Sequence, residues 1–201
     1  MRLNPFTGFG RAARQCIRRV HVVAVLLLIG VASSFCARGQ EGRLPEYQVK
    51  SAFLYNFAKF IQWPQGRFDS PIAPLIVGIY GKNPFRDYSK DLETKTVGGH
   101  RIIVQRIETI EQARHCHVLF IGTDKARATR MVEQLSGSNV LTVTDEMEIE
   151  GFQSVGAVIN LTTTGNRTVH FEINVDAARR AELKINSSLL NLAKIVRDGR
   201  A

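Results

Sequence analysis

The chain has 201 residues, 27 of them lysine or arginine against 18 aspartate or glutamate, for a formal net charge of +9. That length fits one domain of ordinary size. Six of the basic residues and none of the acidic ones fall in residues 1–39, which leaves 21 basic against 18 acidic side chains, or +3, in the remainder. So small a charge, scattered along the chain and without interleaved aromatic residues, excludes a nucleic-acid groove.

The first segment reads as a secretory leader. Arg2, Arg11, Arg14, Arg18 and Arg19 precede an apolar run over 22–31, and the small residues Ala32, Ser33 and Ser34 follow. The run is too short to stay in a bilayer, since a spanning helix takes about 20 apolar residues. Cleavage after Ser34, with Ala32 at −3, and after Gly39, with Ala37 at −3, both fit. His21 behind Arg18-Arg19 speaks against a twin-arginine signal, and bulky Phe35 speaks against lipid attachment at Cys36. The expected organisation is therefore a signal peptide over 1–39, cleaved on export to the periplasm, and one α/β domain over 40–201. Cys16 lies in the leader and Cys36 at its edge, so Cys116 is the secure cysteine of the mature part. No internal disulfide is expected, and a domain of this size can hold its fold by core burial alone.

Pro45 introduces a helix over 46–62, in which Val49, Phe53, Phe57, Phe60 and Ile61 repeat at helical spacing. The three phenylalanines read as core. Lys50 falls inside the apolar arc, so its stem is expected to pass the core and carry the ammonium to water. Tyr55, on the polar arc, and Trp63, at the helix end before the terminating Pro64, are candidates for a surface binding patch. Strands are predicted over 75–80, 101–107, 117–121 and 139–143. Helices alternate with them over 84–92 and 124–135, the second capped by Thr123 or Asp124. The C-terminal third carries two β-rich runs, 157–163 and 167–173, turning at Thr164-Gly165-Asn166, then helices over 176–182 and 188–197, the last with Ser187 as N-cap. The fold class is α/β: a single domain with a largely parallel sheet flanked by helices on both faces, plus a C-terminal antiparallel hairpin.

Catalytic signals are weak. Gly78-Ile-Tyr-Gly81-Lys82 lacks the spacing and the hydroxyl residue of a phosphate loop, and reads as a turn leaving a strand. His115-Cys116-His117 offers two ligands on one extended face without a third, so a structural role for His117 at a strand edge is favoured. Asp145, Glu146, Glu148 and Glu150 lack a calcium-loop pattern and read as a solvated face. No Gly-x-Ser-x-Gly elbow is present. No catalytic residue, cofactor, metal or nucleic-acid partner is assigned, and the chain is read as a binding protein, not an enzyme.

The run from Lys50 to Pro64, Lys-Ser-Ala-Phe-Leu-Tyr-Asn-Phe-Ala-Lys-Phe-Ile-Gln-Trp-Pro, resembles the opening signature of the YfiR-like family of exported bacterial proteins. The resemblance continues in the blocks that begin at Cys116, Val140 and Gly156, and ends in Val169-His-Phe-Glu-Ile-Asn174, Ala177-Ala178 and Leu183-Lys-Ile-Asn186. It implies a periplasmic α/β domain, often a homodimer. Such a domain binds the periplasmic part of an inner-membrane diguanylate cyclase, keeps cyclic-di-GMP synthesis and biofilm formation low, and can be sequestered by an outer-membrane lipoprotein. It also implies cysteine pairs, of which only Cys116 has a counterpart here, so redox control by an internal disulfide is not expected. Besides Tyr55 and Trp63, the candidate contact residues are Glu172, Arg180, Lys184 and Asn186: Glu172 lies off the buried face of its strand, and Lys184 and Asn186 alternate with Leu183 and Ile185. The rival reading is a small-solute sensing domain, since an open α/β sheet offers a crevice at its strand ends.

Overall fold

The structure is a computed structural model that describes residues 45–86, 88–146, 155–165 and 168–198. The proposed leader, Cys16, Cys36, Glu148, Glu150 and the hairpin residues 166–167 lie outside the described residues. No helix among the described residues is long and apolar enough to cross a membrane.

In chain order the elements are α1 (Glu46–Phe60), β1 (Ile61–Gln62), β2 (Leu75–Gly81), α2 (Tyr88–Glu93), β3 (Thr96–Val97), β4 (His100–Ile107), α3 (Ile110–Arg114) and β5 (Val118–Gly122). They continue with α4 (Lys125–Gln134), β6 (Leu141–Asp145), β7 (Ile159–Thr163), β8 (Val169–Asn174), α5 (Val175–Arg180), β9 (Lys184–Ile185), α6 (Ser187–Leu190) and β10 (Lys194–Val196). The main sheet runs β10-β8-β7-β6-β5-β2-β4-β3. Strands β4, β2, β5, β6 and β7 are mutually parallel, β7 and β8 form the antiparallel hairpin, and β10 returns parallel to β8.

Alternation of side chains across the central strands creates two cores. On one face, Val77, Val118, Phe120 and Val143 meet Leu54 and Phe57 of α1, Leu92 of α2, Ala177 and Ala178 of α5 and Leu189 of α6. On the other, Ile107, Leu119 and Ile121 meet Ala113 of α3 and Ala128 and Met131 of α4. Strand β5 is buried along its whole length because both faces are covered, which is why it reads as a continuous apolar run. Gly78 of β2 is required by the second core: a Cβ there would stand 2.5 Å from Cys116 Sγ and 2.7 Å from Ile107 Cγ1.

Several local expectations are corrected. The first helix stops at Phe60, because Ile61 turns extended (φ −98°, ψ 136°) and joins a strand pair. The helix expected over 84–92 starts only at Tyr88; ahead of it, Asn83 Oδ1 accepts from the backbone of Phe85 and Arg86 and holds a turn. The helix expected over 188–197 is one short turn, α6, capped by Asn186 and not by Ser187, and the chain then becomes β10. Asp124 caps α4 through Arg127 N at 3.0 Å. Helix α3 and strands β3, β9 and β10 add to the predicted set.

Lys50 and Asp145 give the largest correction. Lys50 does not reach water: it is fully buried, with Nζ 2.9 and 2.7 Å from the two carboxylate oxygens of Asp145 and 2.6 Å from Glu46 Oε1. The Tyr47 ring centroid stands 5.1 Å from the same ammonium. Asp145 is likewise buried and no part of a solvated face. Position 50 points at the end of β6, where a carboxylate offers more than a desolvated path to solvent.

Candidate partner-binding surface

Where α1 ends, the chain builds a ribbon apart from the main sheet. Ile61 pairs with Ile185 and Gln62 with Lys184 in antiparallel register, and Asn186 N donates to Phe60 O at 2.9 Å. Trp63 follows at the ribbon's end. A groove of about 340 Å³ opens there, lined by Gln62, Trp63, Pro64, Gln65, Glu182 and Lys184.

Glu182 is at the C-terminal end of α5 with φ +54°, a left-handed conformation that costs a non-glycine residue about 1 kcal/mol or more. The turn is fixed by Glu182 N donating to Arg179 O and Leu183 N donating to Ala178 O, both at 3.0 Å, the pattern that usually places glycine here. Asn139 steadies it by donating from Nδ2 to Ala181 O and to the Glu182 carboxylate.

Behind the groove lies a stack of rings at the amino ends of β2, β4 and β5. Phe68 stacks between His100, at a centroid distance of 3.8 Å, and His117, at 4.2 Å. Trp63 meets Phe68 and His117 edge-on at 6.1 and 5.7 Å. Burial first, and the Arg67 charge second, push the His117 imidazole down to about 4, so it is neutral at pH 7. Its Nδ1 accepts from Ile76 N at 3.1 Å, which leaves the proton on Nε2. Arg67 donates to the carbonyls of Arg114 and Cys116. Two buried donors here, Trp63 Nε1 and Arg67 Nε, have no acceptor among the described residues. Such donors are uncommon and cost about 1–3 kcal/mol each unless a water or another molecule supplies the acceptor.

The structure thus brings Trp63, Lys184 and Asn186 together and leaves the other candidates apart. Asn186 is the N-cap of α6, accepting from Ser188 N at 2.8 Å. Tyr55 is half-buried and packs against the core instead of standing in a surface patch, with Lys59 and Lys95 each 5.4 Å from its ring and its hydroxyl facing Thr96 O at 3.4 Å. Half-buried Glu172 pairs with Lys194 at 2.6 Å, and Arg180 pairs with Asp198. Sequence reasoning missed Glu182, Arg67, Phe68 and His100. Nothing local in the sequence announces the left-handed Glu182 or the stack, because both depend on register between distant segments.

The His115-Cys116-His117 run does not bring its two imidazoles to one face: His115 is exposed at the end of α3 while His117 is buried, contrary to the expectation that they share a strand face. Among the described residues no group of three His, Cys, Asp or Glu side chains could hold a metal ion. Cys116 is free and buried, and burial pushes its thiol up to about 11, which keeps it from forming the reactive thiolate.

A family model described as YfiR/HmsC-like matches residues 47–194. No curated protein matches the chain.

Proposed function

The chain belongs to the YfiR/HmsC-like family, and from that membership we propose that it is a periplasmic regulator that binds and inhibits a membrane-anchored diguanylate cyclase, lowering cyclic-di-GMP output and biofilm formation. Export by removal of residues 1–39, a homodimeric state and sequestration by an outer-membrane lipoprotein are parts of the same proposal. The observation that carries a binding role is the groove at the β1–β9 ribbon, where a strained Glu182 and the orphaned donor of Trp63 stand side by side. Strain and unpaired donors weaken a fold and are retained where a site uses them. Glu172 and Arg180 remain candidate contacts outside this groove.

The test is a deletion strain complemented with the wild type, Trp63→Ala, Lys184→Glu, Glu182→Gly, or a Glu172→Lys/Arg180→Glu double change. Deletion is expected to raise cyclic-di-GMP and surface attachment, and the groove variants to be exported and folded yet unable to restore the low state. Glu182→Gly is the most discriminating, because glycine relieves the backbone strain while deleting the carboxylate. Unchanged cyclic-di-GMP on deletion across several growth conditions defeats the reading. A second reading, binding of a small solute, is favoured by a crevice at the opposite edge of the sheet.

A further inference from the structure

The strand order places a reversal between β2 and β5. From β2 the chain moves outward to β4, then crosses back to lay β5 on the other side of β2. The helix after β2 packs on one face, through Leu92, and the helix after β5 packs on the other, through Ala128 and Met131. The two loops therefore diverge above the carboxyl ends of β2 and β5. In open α/β sheets that is where a crevice forms and ligands bind.

The crevice is present, with a volume of about 610 Å³, and its walls hold Lys82, Asn83, Arg106, Thr123, Asp124 and Arg127 over a floor of Gly81 and Gly122. Gly81 has φ +87°, and a Cβ on it would collide with Gly122 O. Lys82 N donates to that carbonyl at 2.7 Å, so the two strand ends are locked together and the backbone is bare where a ligand would rest. Three cations face one carboxylate. Asp124 is engaged, capping α4 and standing 3.2 Å from Arg127 Nε. Arg106 meets Glu108 at 3.6 Å with both side chains largely exposed, a contact that exchanges readily with water. Among the described residues no carboxylate pairs with Lys82 Nζ.

We propose that this crevice binds a small, multiply charged oxyanion, held by Lys82, Arg106 and Arg127 above the Gly81–Gly122 floor. Excess positive charge on a glycine floor suits a ligand whose oxygens approach the backbone closely, and the guanidinium groups suit two-pronged contact with phosphate or carboxylate. The wall residues carry no aromatic ring, so charge and not stacking selects the ligand. This site lies at the carboxyl edge of the sheet, away from the ribbon groove, and does not depend on the regulatory reading.

The experiment is isothermal titration of the purified mature chain with inorganic phosphate and, separately, with citrate, at ionic strength held constant with sodium chloride. The expected result is saturable binding of one anion per chain for at least one probe. The arm that binds tells whether the natural ligand is of the phosphate or the polycarboxylate class. A Lys82→Gln/Arg106→Gln/Arg127→Gln variant, checked for native circular dichroism, is expected to lose roughly ten-fold or more in affinity. Arg101→Gln, an exposed cation at the opposite, amino end of β4, is expected to bind as the wild type does. No saturable binding of either probe, binding that survives the triple change, or an equal loss in Arg101→Gln overturns the proposal. Because no partner is present, failure here leaves the cyclase reading untouched, and unchanged cyclic-di-GMP in the deletion strain leaves this one untouched.

Discussion

Helix α1 is fastened to the sheet at both ends, and the two fastenings use opposite chemistry. At the carboxyl edge a fully buried ammonium, Lys50, sits between the carboxylates of Asp145 and Glu46. At the amino edge the chain leaving α1 is held by a neutral histidine in a stack of rings, with Trp63, Phe68, His100 and His117 in contact. The difference follows from what each edge must bury. A lysine inside the apolar arc has nowhere to put its charge except against an anion, because desolvating an unpaired ion costs far more than pairing it. Imidazole can shed its proton and be buried neutral, at the cost of becoming sensitive to acid. One edge is locked by a buried ion pair, the other by a neutral imidazole beside the Arg67 guanidinium, and the strained groove is found at the second.

Breaking the charged lock has the largest expected effect. Lys50→Met takes the ammonium away from buried Asp145, at a cost of about 3–5 kcal/mol in denaturant unfolding, and Asp145→Asn, which leaves the ammonium with Glu46, is expected to cost less. The double change Lys50→Met/Asp145→Leu is expected to recover most of that loss, since apolar residues of similar volume remove the desolvation penalty with the attraction. A double variant no more stable than either single one contradicts the account of this edge.

The neutral lock is broken by protons instead of mutation. His117 has a folded-state value near 4 against about 6.5 when exposed, so the unfolded chain binds the proton first as pH falls. Its stabilising contribution is complete above about pH 6.5 and is lost progressively down to about pH 4, by at most about 3 kcal/mol. Asp124 and Asp198 are held low, by the Arg127 backbone amide and by Arg180, and act below that window as carboxylates protonate. Thermal melts from pH 7 to 4 are expected to show the loss in the wild type and a flatter profile in His117→Phe, which keeps the ring against Phe68. Equal slopes in both proteins would remove His117 from the explanation.

These two edges also show how far the sequence could be read. The α/β class, the parallel strands and the 157–173 hairpin follow from periodicity and turn residues, which are local properties. Helix α3 was legible and missed: Thr109-x-x-Gln112 is a capping box, with Thr109 Oγ1 accepting from Gln112 N and Gln112 Oε1 accepting from Thr109 N. Strands β1, β9 and β10 were not legible, being two or three residues long and defined only by their partners. For the same reason Lys50 could be placed on the apolar arc but not matched to Asp145, which is 95 residues away. Trp63 and Lys184 could each be singled out, while the groove they share depends on the Gln62–Lys184 register.

The smallest effect is expected from the contact that most resembles the largest. Lys194 Nζ lies 2.6 Å from Glu172 Oε1, the same separation as Lys50 Nζ from Glu46 Oε1. The Lys194 side chain, however, is 75% exposed where that of Lys50 is 0% exposed. Glu172 raises the Lys194 ammonium through a hydrogen bond and its charge, but water and salt screen an ammonium so placed, and ordering its long stem offsets what attraction remains. Lys194→Ala is therefore expected to leave the melting temperature within the scatter of the measurement at moderate salt, and high salt to leave wild type and variant alike. A loss approaching that of Lys50→Met would mean that β10, pairing at Lys194–Glu172, Ile195–Ile173 and Val196–Asn174, depends on the bridge and not on its backbone ladder and the covering of Ile173. With the Glu46 and Glu172 distances matched, the contrast turns on the burial of the ammonium and on the second carboxylate, Asp145, that burial brings to Lys50.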